Sequence, residues 1–209
     1  FIAYKKRSVD YLRQLSAPDD GIKIIYPGVD LRRFCLPNRR DHNVVRILFV
    51  GGFAGEKGLD LLMKAFSRLC VEGLPVELWI CTKPRNRRQK ALIDRYSQKY
   101  PIKALGYVDY DKMPNVYRQC DIFCLPSFDK RRFGLRVWEE QFGFALVEAM
   151  ASGLPIVATN CGAIPEVVGN ENLLIPQGSA KPLYTALRTL IEDEDLRPRI
   201  ARVNRERVE

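Results

Sequence analysis

The 209-residue sequence predicts an α/β fold built on a doubly wound, mainly parallel sheet flanked by helices. Two observations support this prediction. Strand-length segments alternate with helical segments along most of the chain, and the strand-length segments are continuous apolar runs, as expected of strands buried on both faces. Because ligands of such sheets bind outside the carboxyl ends of the strands, the loops that follow the strands are the candidate binding elements.

The predicted strands are short runs rich in β-branched, aromatic and leucine side chains. In chain order they are Arg46–Val50, Val76–Cys81, Ile102–Leu105, Asp121–Leu125, Ile156–Ala158 and Leu173–Ile175. The predicted helices carry apolar residues at the three- and four-residue spacing of one helix face. In chain order they are Leu59–Val71, Gln89–Tyr100, Asp109–Gln119, Phe144–Ala151 and Lys181–Glu192. Asp109 or Asp111 is a suitable N-cap for the third helix, and charged residues after Asp193 indicate one more exposed helix.

Residues 1–43 fit this sheet poorly, and we interpret them as the tail of a preceding N-terminal domain plus a linker. Lys5–Leu15 is predicted to be helical and Ile22–Tyr26 to be a strand, whereas the remainder is polar and basic, as linkers are. Residues 44–209 then form the main domain. The chain begins without Met and without a signal-peptide pattern, which favours a piece of a longer protein.

Composition and charge indicate a basic globular protein. Thirty-four Lys and Arg residues against 25 Asp and Glu residues give a formal net charge of +9, and 46% of the residues are hydrophobic. No apolar run approaches the roughly 18 residues of a membrane-spanning helix. The six cysteines include no Cys-x-x-Cys pair, and four fall in or directly next to predicted strands or helices. This pattern favours buried thiols in a reducing cytoplasm over disulfides or a structural zinc site.

The densest positive stretch runs from Lys83 to Lys103, where eight basic residues accompany a single acidic residue, Asp94. A solvated helix face and attraction to an anionic membrane surface both explain this pattern, since each basic residue near such a surface adds about 1 kcal/mol. The second interpretation makes a cytoplasmic protein peripheral at the inner face of the membrane. A nucleic-acid-binding module is a rival class. The sequence contains no zinc, RNA-recognition or helix-turn-helix signature, so no nucleic acid is expected as a partner.

The loop after the first predicted strand, residues 51–58, contains four glycines and leads into a helix. Gly51 and Gly52 allow the backbone to approach a ligand closely, and the following helix N-terminus favours an anion. Lys57 adds a positive charge there. The spacing matches neither a phosphate-binding Walker loop nor a dinucleotide-binding fingerprint, so a tight turn is the alternative interpretation.

A second set of candidate residues follows the fourth predicted strand. Glu140 lies in a loop, Gly143 stands at the entrance of a helix where backbone N–H groups are free, and Glu148 lies within that helix. Glu148 is flanked by apolar residues. A carboxylate in such surroundings costs free energy unless it is paired or binds a ligand, so we interpret it as functional, with a surface glutamate as the alternative.

The pattern Glu140-x7-Glu148, with Phe142-Gly143-Phe144 inside it, resembles the retaining nucleotide-sugar glycosyltransferases of family 4, also called glycosyl transferases group 1. The resemblance covers most of the chain, because further segments match that family in place and order. These segments are Ile25–Asp30, Phe49–Phe53 with Glu56–Gly58, Leu105–Val108, Cys120–Ser127 and Gly162–Val168.

The resemblance implies the C-terminal, donor-binding half of a GT-B fold, in which two Rossmann-like domains face a cleft. It implies that Glu148 accepts hydrogen bonds from ribose hydroxyls and that backbone near Val108 meets the base. It also implies that Lys57 pairs with the diphosphate and that Glu140 contacts the transferred sugar, which makes these two the catalytic residues. The implied donor-binding residues are Gly51, Gly52, Lys57, Val108, Glu140, Phe142, Gly143, Phe144 and Glu148.

One position departs from the family pattern. The family usually has an Arg beside the glycine of the first loop, where this sequence has Gly52. Arg131, Arg132 and Arg136 lie just before Glu140, in a segment that is longer than the family's common form. Arg136 or Arg132 is therefore the expected diphosphate cation, and replacing Arg136 by Ala is predicted to weaken binding of a nucleoside diphosphate.

The resemblance predicts retaining transfer of a hexosyl group from a UDP-, GDP- or ADP-sugar in glycan biosynthesis, without a metal or another cofactor. The saccharide or lipid-linked acceptor would be held mainly by an N-terminal domain absent from this chain. His42, the single histidine, lies in the predicted linker, and the family's catalytic histidine would lie outside the chain. The chain alone is expected to bind donor with little or no transfer. A sugar-nucleotide epimerase of the same architecture is an alternative, and it would need catalytic acids in place of an acceptor site.

Overall fold

The computed structural model describes residues 1–3, 5–36, 43–52 and 55–209. Residues 37–42 of the predicted linker, which include His42, and the motif residue Phe53 lie outside these ranges. In chain order, the strands are β1 (Ile2–Ala3), β2 (Lys23–Ile24), β3 (Val45–Val50), β4 (Val76–Cys81), β5 (Ile102–Ala104), β6 (Ile122–Leu125), β7 (Lys130–Arg132), β8 (Leu135–Trp138), β9 (Ile156–Thr159) and β10 (Leu173–Ile175). The helices are α1 (Lys6–Gln14), α2 (Leu59–Val71), α3 (Arg87–Ser97), α4 (Met113–Arg118), α5 (Phe144–Ala151), α6 (Ile164–Val168), α7 (Ala180–Glu192) and α8 (Leu196–Val208).

Six parallel strands of the described residues form the main sheet, in the order β10-β9-β6-β3-β4-β5. The chain runs outward from β3 through β4 to β5, then returns beside β3 with β6 and runs outward the other way. This is the doubly wound order of a Rossmann-like sheet, and the fold prediction is confirmed. The direction reverses between β3 and β6, which is where such sheets open a ligand crevice at the carboxyl ends of the strands.

The core explains why the strand sequences are continuously apolar. Every residue of β6 and of β9 is buried, because helices cover both faces of the sheet. Helix α2 packs against α7, and α5 packs against α4, α6 and α8. The elements that frame the crevice therefore rest on a rigid, close-packed layer.

Two helix predictions need correction. The Asp109–Gln119 segment begins with a 3-10 turn, Tyr110–Lys112, and only then becomes α4. Neither proposed N-cap carboxylate caps a helix, because Asp109 pairs with Lys112 at 3.2 Å and Asp111 pairs with Arg33 at 2.7 Å. Both carboxylates are drawn to cations instead.

The last helix is more than an exposed surface helix. In α8, Ile200 and Asn204 are buried. The Asn204 amide donates to the Leu154 carbonyl oxygen at 2.8 Å and exchanges hydrogen bonds with Asn172. Buried amides of this kind require such partners, so the network fixes α8 to the loop before β9.

An antiparallel hairpin, β7–β8, stands outside the main sheet and was not predicted. Phe133 and Gly134 form its two-residue turn, both with positive φ, as a type I′ hairpin turn requires. Phe133 is 90% exposed at the tip. The segment predicted from the sequence to be a long loop is therefore an ordered hairpin.

The N-terminal segment packs on the sheet domain without joining its sheet, since β1 pairs only with β2 among the described strands. Lys5 is 3% exposed and donates hydrogen bonds to Glu139 and Gln141. Glu166 of α6 accepts from the backbone N–H of Lys6 and from the hydroxyl of Tyr26. A cavity of about 700 Å³ lies at this junction. The division of the chain at residue 43 stays a prediction.

All six cysteines are free thiols, and Cys81, Cys120, Cys124 and Cys161 are buried. Burial raises the pKa of Cys81 to about 12, so this thiol is unreactive at neutral pH. Among the described helices, none combines the length and the apolar character needed to cross a membrane.

Candidate functional site

Two adjoining clefts open at the carboxyl edge of the sheet, where the strand order reverses between β3 and β6. The larger cleft, of about 710 Å³, is lined by the loops after β3, β4 and β5 and by Glu148 of α5. The smaller cleft, of about 370 Å³, is lined by Lys57, Glu140 and the start of α5. Val50 and Gly51 line both clefts, so the end of β3 is the point at which they join.

The loop after β3 is fixed against the end of β6 by close backbone packing. Gly58 has a φ of 69°, and a Cβ at this position would lie 2.1 Å from the Pro126 carbonyl oxygen. The backbone N–H of Phe128 also donates to the Glu56 carbonyl oxygen at 2.8 Å. Lys57 is thereby placed over the crevice between β3 and β6.

Glu140 and Lys57 form an ion pair in the smaller cleft. Oε2 of Glu140 accepts a hydrogen bond from Lys57 Nζ at 2.6 Å and from Ser127 Oγ at 3.1 Å. Glu140 is 5% exposed, and Lys57 Nζ also lies 5.5 Å from the ring centroid of Trp138. A buried carboxylate needs such partners, and these two hydrogen bonds hold it in one orientation.

The backbone of Glu140 is held as tightly as its side chain. Its carbonyl oxygen accepts from the Ala163 N–H at 3.0 Å, and its own N–H donates to the Cys161 sulfur at 3.5 Å. A Cβ on Gly162, whose φ is 55°, would lie 2.1 Å from that carbonyl oxygen. The loop before α6 therefore fits against Glu140 only because residue 162 is glycine.

Glu148 lies in the larger cleft, in the middle of helix α5, whereas Glu140 lies in the loop before that helix. The hydroxyl of Tyr117 in α4 donates to Glu148 Oε2 at 2.8 Å. Burial raises the pKa of the Glu148 carboxyl, and the Tyr117 hydrogen bond lowers it in part. Burial, with the Glu148 charge second, raises the pKa of Tyr117, so its hydroxyl stays protonated and donates. Tyr117 was missed in the sequence because nothing local connects it with Glu148.

The start of α5 closes the smaller cleft. Gly143 occupies the N-cap position, and its carbonyl oxygen accepts from the Leu146 N–H at 2.8 Å. Phe142 is buried, whereas Phe144 is 61% exposed, and their rings meet edge to face at 5.4 Å. Backbone N–H groups at this helix start have no intrahelical acceptor and can bind an anion.

Val108 lies at the far side of the larger cleft, in the loop that follows β5. Tyr107 and Tyr110 line the cleft beside it, and Tyr107 is 74% exposed. The structure therefore brings Val108 into the same cleft as Glu148, while Glu140 and Lys57 lie in the other.

Arg136 and Arg132, the two arginines predicted to bind the diphosphate, lie in the β7–β8 hairpin and make other contacts. Arg136 pairs with Asp129 at 2.9 Å and with Glu139 at 2.7 Å, and its pKa is raised, mainly by the Glu139 hydrogen bond. The guanidinium of Arg132 lies over the Phe133 ring. Neither Arg132 nor Arg136 is among the described residues that line the two clefts.

The basic stretch 83–103 does not form one uniform face. Lys90 pairs with Asp94 at 2.6 Å, and Lys103 Nζ lies 3.9 Å from the Trp79 ring centroid. Lys83 and Arg85 instead line the larger cleft, which the sequence did not reveal.

Within the described ranges, no group of three or more His, Cys, Asp or Glu side chains is arranged to hold a metal ion.

Comparison with solved structures agrees with this architecture. A glycosyltransferase from Rickettsia africae ESF-5 superposes with a TM-score of 0.82 at 21% identity, covering 99% of this chain and 57% of that one. Anabaena Alr3699/HepE, solved in complex with UDP and glucose, gives a TM-score of 0.79 at 22% identity, covering 98% and 56%. The sheet and its helices thus match the C-terminal half of GT-B glycosyltransferases.

Comparison of sequences identifies the family. WcaL of Escherichia coli (strain K12), provisionally named a colanic acid biosynthesis glycosyltransferase, is 28% identical over 204 residues, which cover 95% of this chain and 49% of WcaL. The chain spans about half the length of this relative. The family model described as glycosyl transferases group 1 matches residues 37–207. The chain therefore belongs to the group 1 glycosyltransferases, of which it represents a C-terminal domain.

Proposed function

We propose that this chain is the donor-binding half of a retaining, family 4 glycosyltransferase that uses a nucleoside-diphosphate sugar. One observation carries the proposal: two oriented carboxylates, Glu148 and Glu140, lie in two clefts that join at Gly51. A nucleotide sugar has hydroxyl groups at both ends, on the ribose and on the sugar, with a diphosphate between them. Its chemistry therefore matches the order of groups along the cleft.

Glu148 is proposed to bind the ribose. A carboxylate accepts hydrogen bonds from two neighbouring hydroxyls, and Tyr117 fixes the orientation of this one. The partly buried carboxylate has lost part of its hydration, so a ligand that donates two hydrogen bonds restores what burial removed. Backbone at Val108, across the same cleft, is proposed to contact the base.

Glu140 and Lys57 are proposed as the catalytic residues, with Glu140 contacting the transferred sugar. In the retaining reaction the bond from the anomeric carbon to the leaving phosphate oxygen breaks, and the bond to the acceptor oxygen forms on the same face of the sugar. The acceptor proton passes to the leaving phosphate. Negative charge develops on that phosphate, and the Lys57 ammonium and the N–H groups of residues 142–144 are placed to offset it.

Glu140 is not proposed as a base that flanks a hydrolysed bond, as in glycosidases. Its Oε2 is already held by Lys57 and Ser127, so its task is to orient the donor. The mechanism needs no metal ion, because the ammonium and the helix N–H groups supply the positive charge that the phosphate requires.

The acceptor, a saccharide or a lipid-linked saccharide, is proposed to bind mainly to a domain that precedes residue 44. The chain covers only 49% of WcaL, which leaves room for such a domain in a longer protein.

The proposed donor class is a UDP-, GDP- or ADP-sugar. This class is supported by HepE, which was solved in complex with UDP and glucose. Within the basic stretch 83–103, the exposed Arg87 and Arg88 of α3 are proposed to meet an anionic membrane surface.

A metal-free thermal-shift panel of UDP, GDP, ADP and their sugar conjugates tests the proposal. A ligand present at about 100 times its Kd adds about 2.7 kcal/mol of stability, which raises the Tm of a domain this size by roughly 5–10 °C. We expect one nucleotide to raise the Tm of the wild type. The shift should be lost in Glu148→Gln and kept in Glu206→Gln, an exposed glutamate of α8. No shift with any nucleotide would overturn the proposal.

A further inference from the structure

The space beside Gly52 is filled from across the cleft. A Cβ built on Gly52 would meet one neighbour within 4 Å among the described atoms, the Nη2 atom of Arg85 at 3.8 Å. The φ of Gly52 lies outside the left-handed region, so the backbone does not demand glycine there. The absent side chain instead leaves room for a guanidinium that arrives from the loop after β4.

Arg85 is held in place by its backbone, while its charge is left available. Its N–H donates to Gln89 Oε1 at 2.7 Å, and Asn86 next to it caps α3. In the part of the chain that the structure describes, its guanidinium makes no salt bridge or side-chain hydrogen bond. The pKa of the Glu56 carboxyl is lowered chiefly by its hydrogen bond from Lys130 and to a smaller extent by the Arg85 charge, so Glu56 already has its own partner.

The other described cations near the clefts leave the space beside Gly52 to Arg85: Lys83, which lines the larger cleft, has no atom within 4 Å of a Cβ at Gly52. Lys57 is paired with Glu140, and Arg136 is paired with both Asp129 and Glu139. Arg85 thus presents a guanidinium in the larger cleft beside Gly52, next to the point where the two clefts join, with its donors free for a planar or tetrahedral anion.

We infer that Arg85 is the cation that binds the diphosphate of the donor beside Gly52. The inference rests on the proposed function, because a ligand that reaches both Glu148 and Glu140 must carry its linking group past Gly51 and Gly52. The diphosphate is that linking group, and it is doubly charged. Arg85 therefore binds the diphosphate, while Glu148 binds the ribose.

Replacement of Arg85 tests this role through the difference between nucleotides. We expect Arg85→Ala to raise the Kd of the bound nucleoside diphosphate roughly 10- to 100-fold, the range for one charged hydrogen-bond donor. The Kd of the matching nucleoside monophosphate should change much less. The ratio of the two constants then falls, which a merely structural role of Arg85 would not produce. Arg88→Ala removes the same charge from the adjacent exposed surface and should leave both constants unchanged.

A relocated guanidinium gives a second, independent readout. Because the Cβ space at Gly52 is open once Arg85 is removed, the double variant Gly52→Arg with Arg85→Ala should recover most of the lost diphosphate affinity. Calorimetric titration of UDP, GDP and ADP, and of the matching monophosphates, against each folded variant provides these constants. Unchanged diphosphate affinity in Arg85→Ala, or a larger loss in Arg136→Ala, would overturn the assignment of Arg85. Failure of the wild type to bind any of the three would instead overturn the proposed function.

Discussion

The Tyr117 hydroxyl donates a 2.8 Å hydrogen bond to Oε2 of Glu148, which joins helix α4 to the carboxylate of helix α5. Tyr117 is fully buried, with its ring edge-on to Phe34 at 5.7 Å and near Phe123 at 6.0 Å. A rigid, core-anchored donor therefore sets the direction of the carboxylate that faces the larger cleft. Precision at this ligand-binding group comes from the packed core rather than from a loop.

Replacing Tyr117 by Phe should weaken nucleotide binding without disrupting the core. The ring keeps its packing, but Glu148 loses its partner and its fixed direction. We expect the Kd of the bound nucleotide to rise several-fold and the free energy of unfolding to fall by about 1–2 kcal/mol, because the hydrogen bond is to a charged group. Urea unfolding and calorimetric titration measure the two effects. Tyr96→Phe is the control, and equal behaviour of the two variants would contradict the role of Tyr117.

Glu148 should reduce stability at neutral pH, as binding groups often do. Burial raises the pKa of its carboxyl in the folded state above the unfolded value of about 4.3. The folded state then holds the proton more tightly, so the stabilising term is complete below the unfolded pKa and is lost as the pH rises through the folded pKa. Glu148→Gln does not titrate, and we expect it to be more stable than the wild type at pH 7.

The pH dependence of that difference is the decisive measurement. The advantage of Glu148→Gln over the wild type should shrink as the pH falls from 7 towards 4.5. Urea unfolding at a series of pH values measures it, and Glu206→Gln should show no such trend. A variant that is less stable than the wild type at every pH would show that ionised Glu148 is stabilising.

The sheet was predictable because its signal is local. In β6 and β9 every residue is buried, and the apolar runs Ile122–Leu125 and Ile156–Ala158 are visible without any knowledge of the fold. The bounds of α2 and α5 were also predicted as observed, since their apolar spacing and flanking glycines mark both ends. The hairpin escaped because β7 is a run of three exposed basic residues, without the alternation that marks a strand.

The pairings within the site were not predictable, because they depend on strand order. Lys57 and Glu140 were each identified, yet their 2.6 Å contact exists only because β3 lies beside β6. Arg85 was assigned to a surface stretch because nothing in its local sequence shows that the loop after β4 turns towards Gly52. Sequence patterns indicate which residues carry chemistry, whereas the topology decides which of them meet.

Removing Lys57 should destabilise the folded protein, because it leaves Glu140 without its cation. Lys57→Met leaves the Glu140 carboxylate buried without its cation, at a cost of roughly 2–4 kcal/mol; we expect the lower part of this range, because the Lys57 side chain is 21% exposed. The double variant with Glu140→Gln should recover part of this loss, since the uncompensated charge is gone. Urea unfolding measures both. A single variant as stable as the wild type would show that the pair contributes nothing.

Two exposed arginines of α3 provide a test of membrane contact. Arg87 and Arg88 are exposed, and each basic residue near an anionic surface adds about 1 kcal/mol. We expect the wild type to sediment with anionic vesicles and not with neutral ones. Changing both arginines to Gln should lower the binding constant for anionic vesicles roughly 10- to 30-fold. The same double change at Arg199 and Arg202 of α8 is the control. Equal sedimentation with both vesicle types would exclude this surface.

Gly162 should control the position of Glu140 through backbone contact alone. Gly162→Ala places a Cβ 2.1 Å from the Glu140 carbonyl oxygen, so the loop before α6 must shift and carry Glu140 with it. We expect a loss of more than 2 kcal/mol in unfolding free energy and weaker binding of the nucleotide sugar, with less effect on the nucleotide alone. Gly178→Ala separates this contact from backbone strain, because Gly178 also has positive φ but open space around it, and should cost only about 1 kcal/mol. Equal losses in the two variants would mean that left-handed strain, and not contact with Glu140, accounts for the glycine at 162.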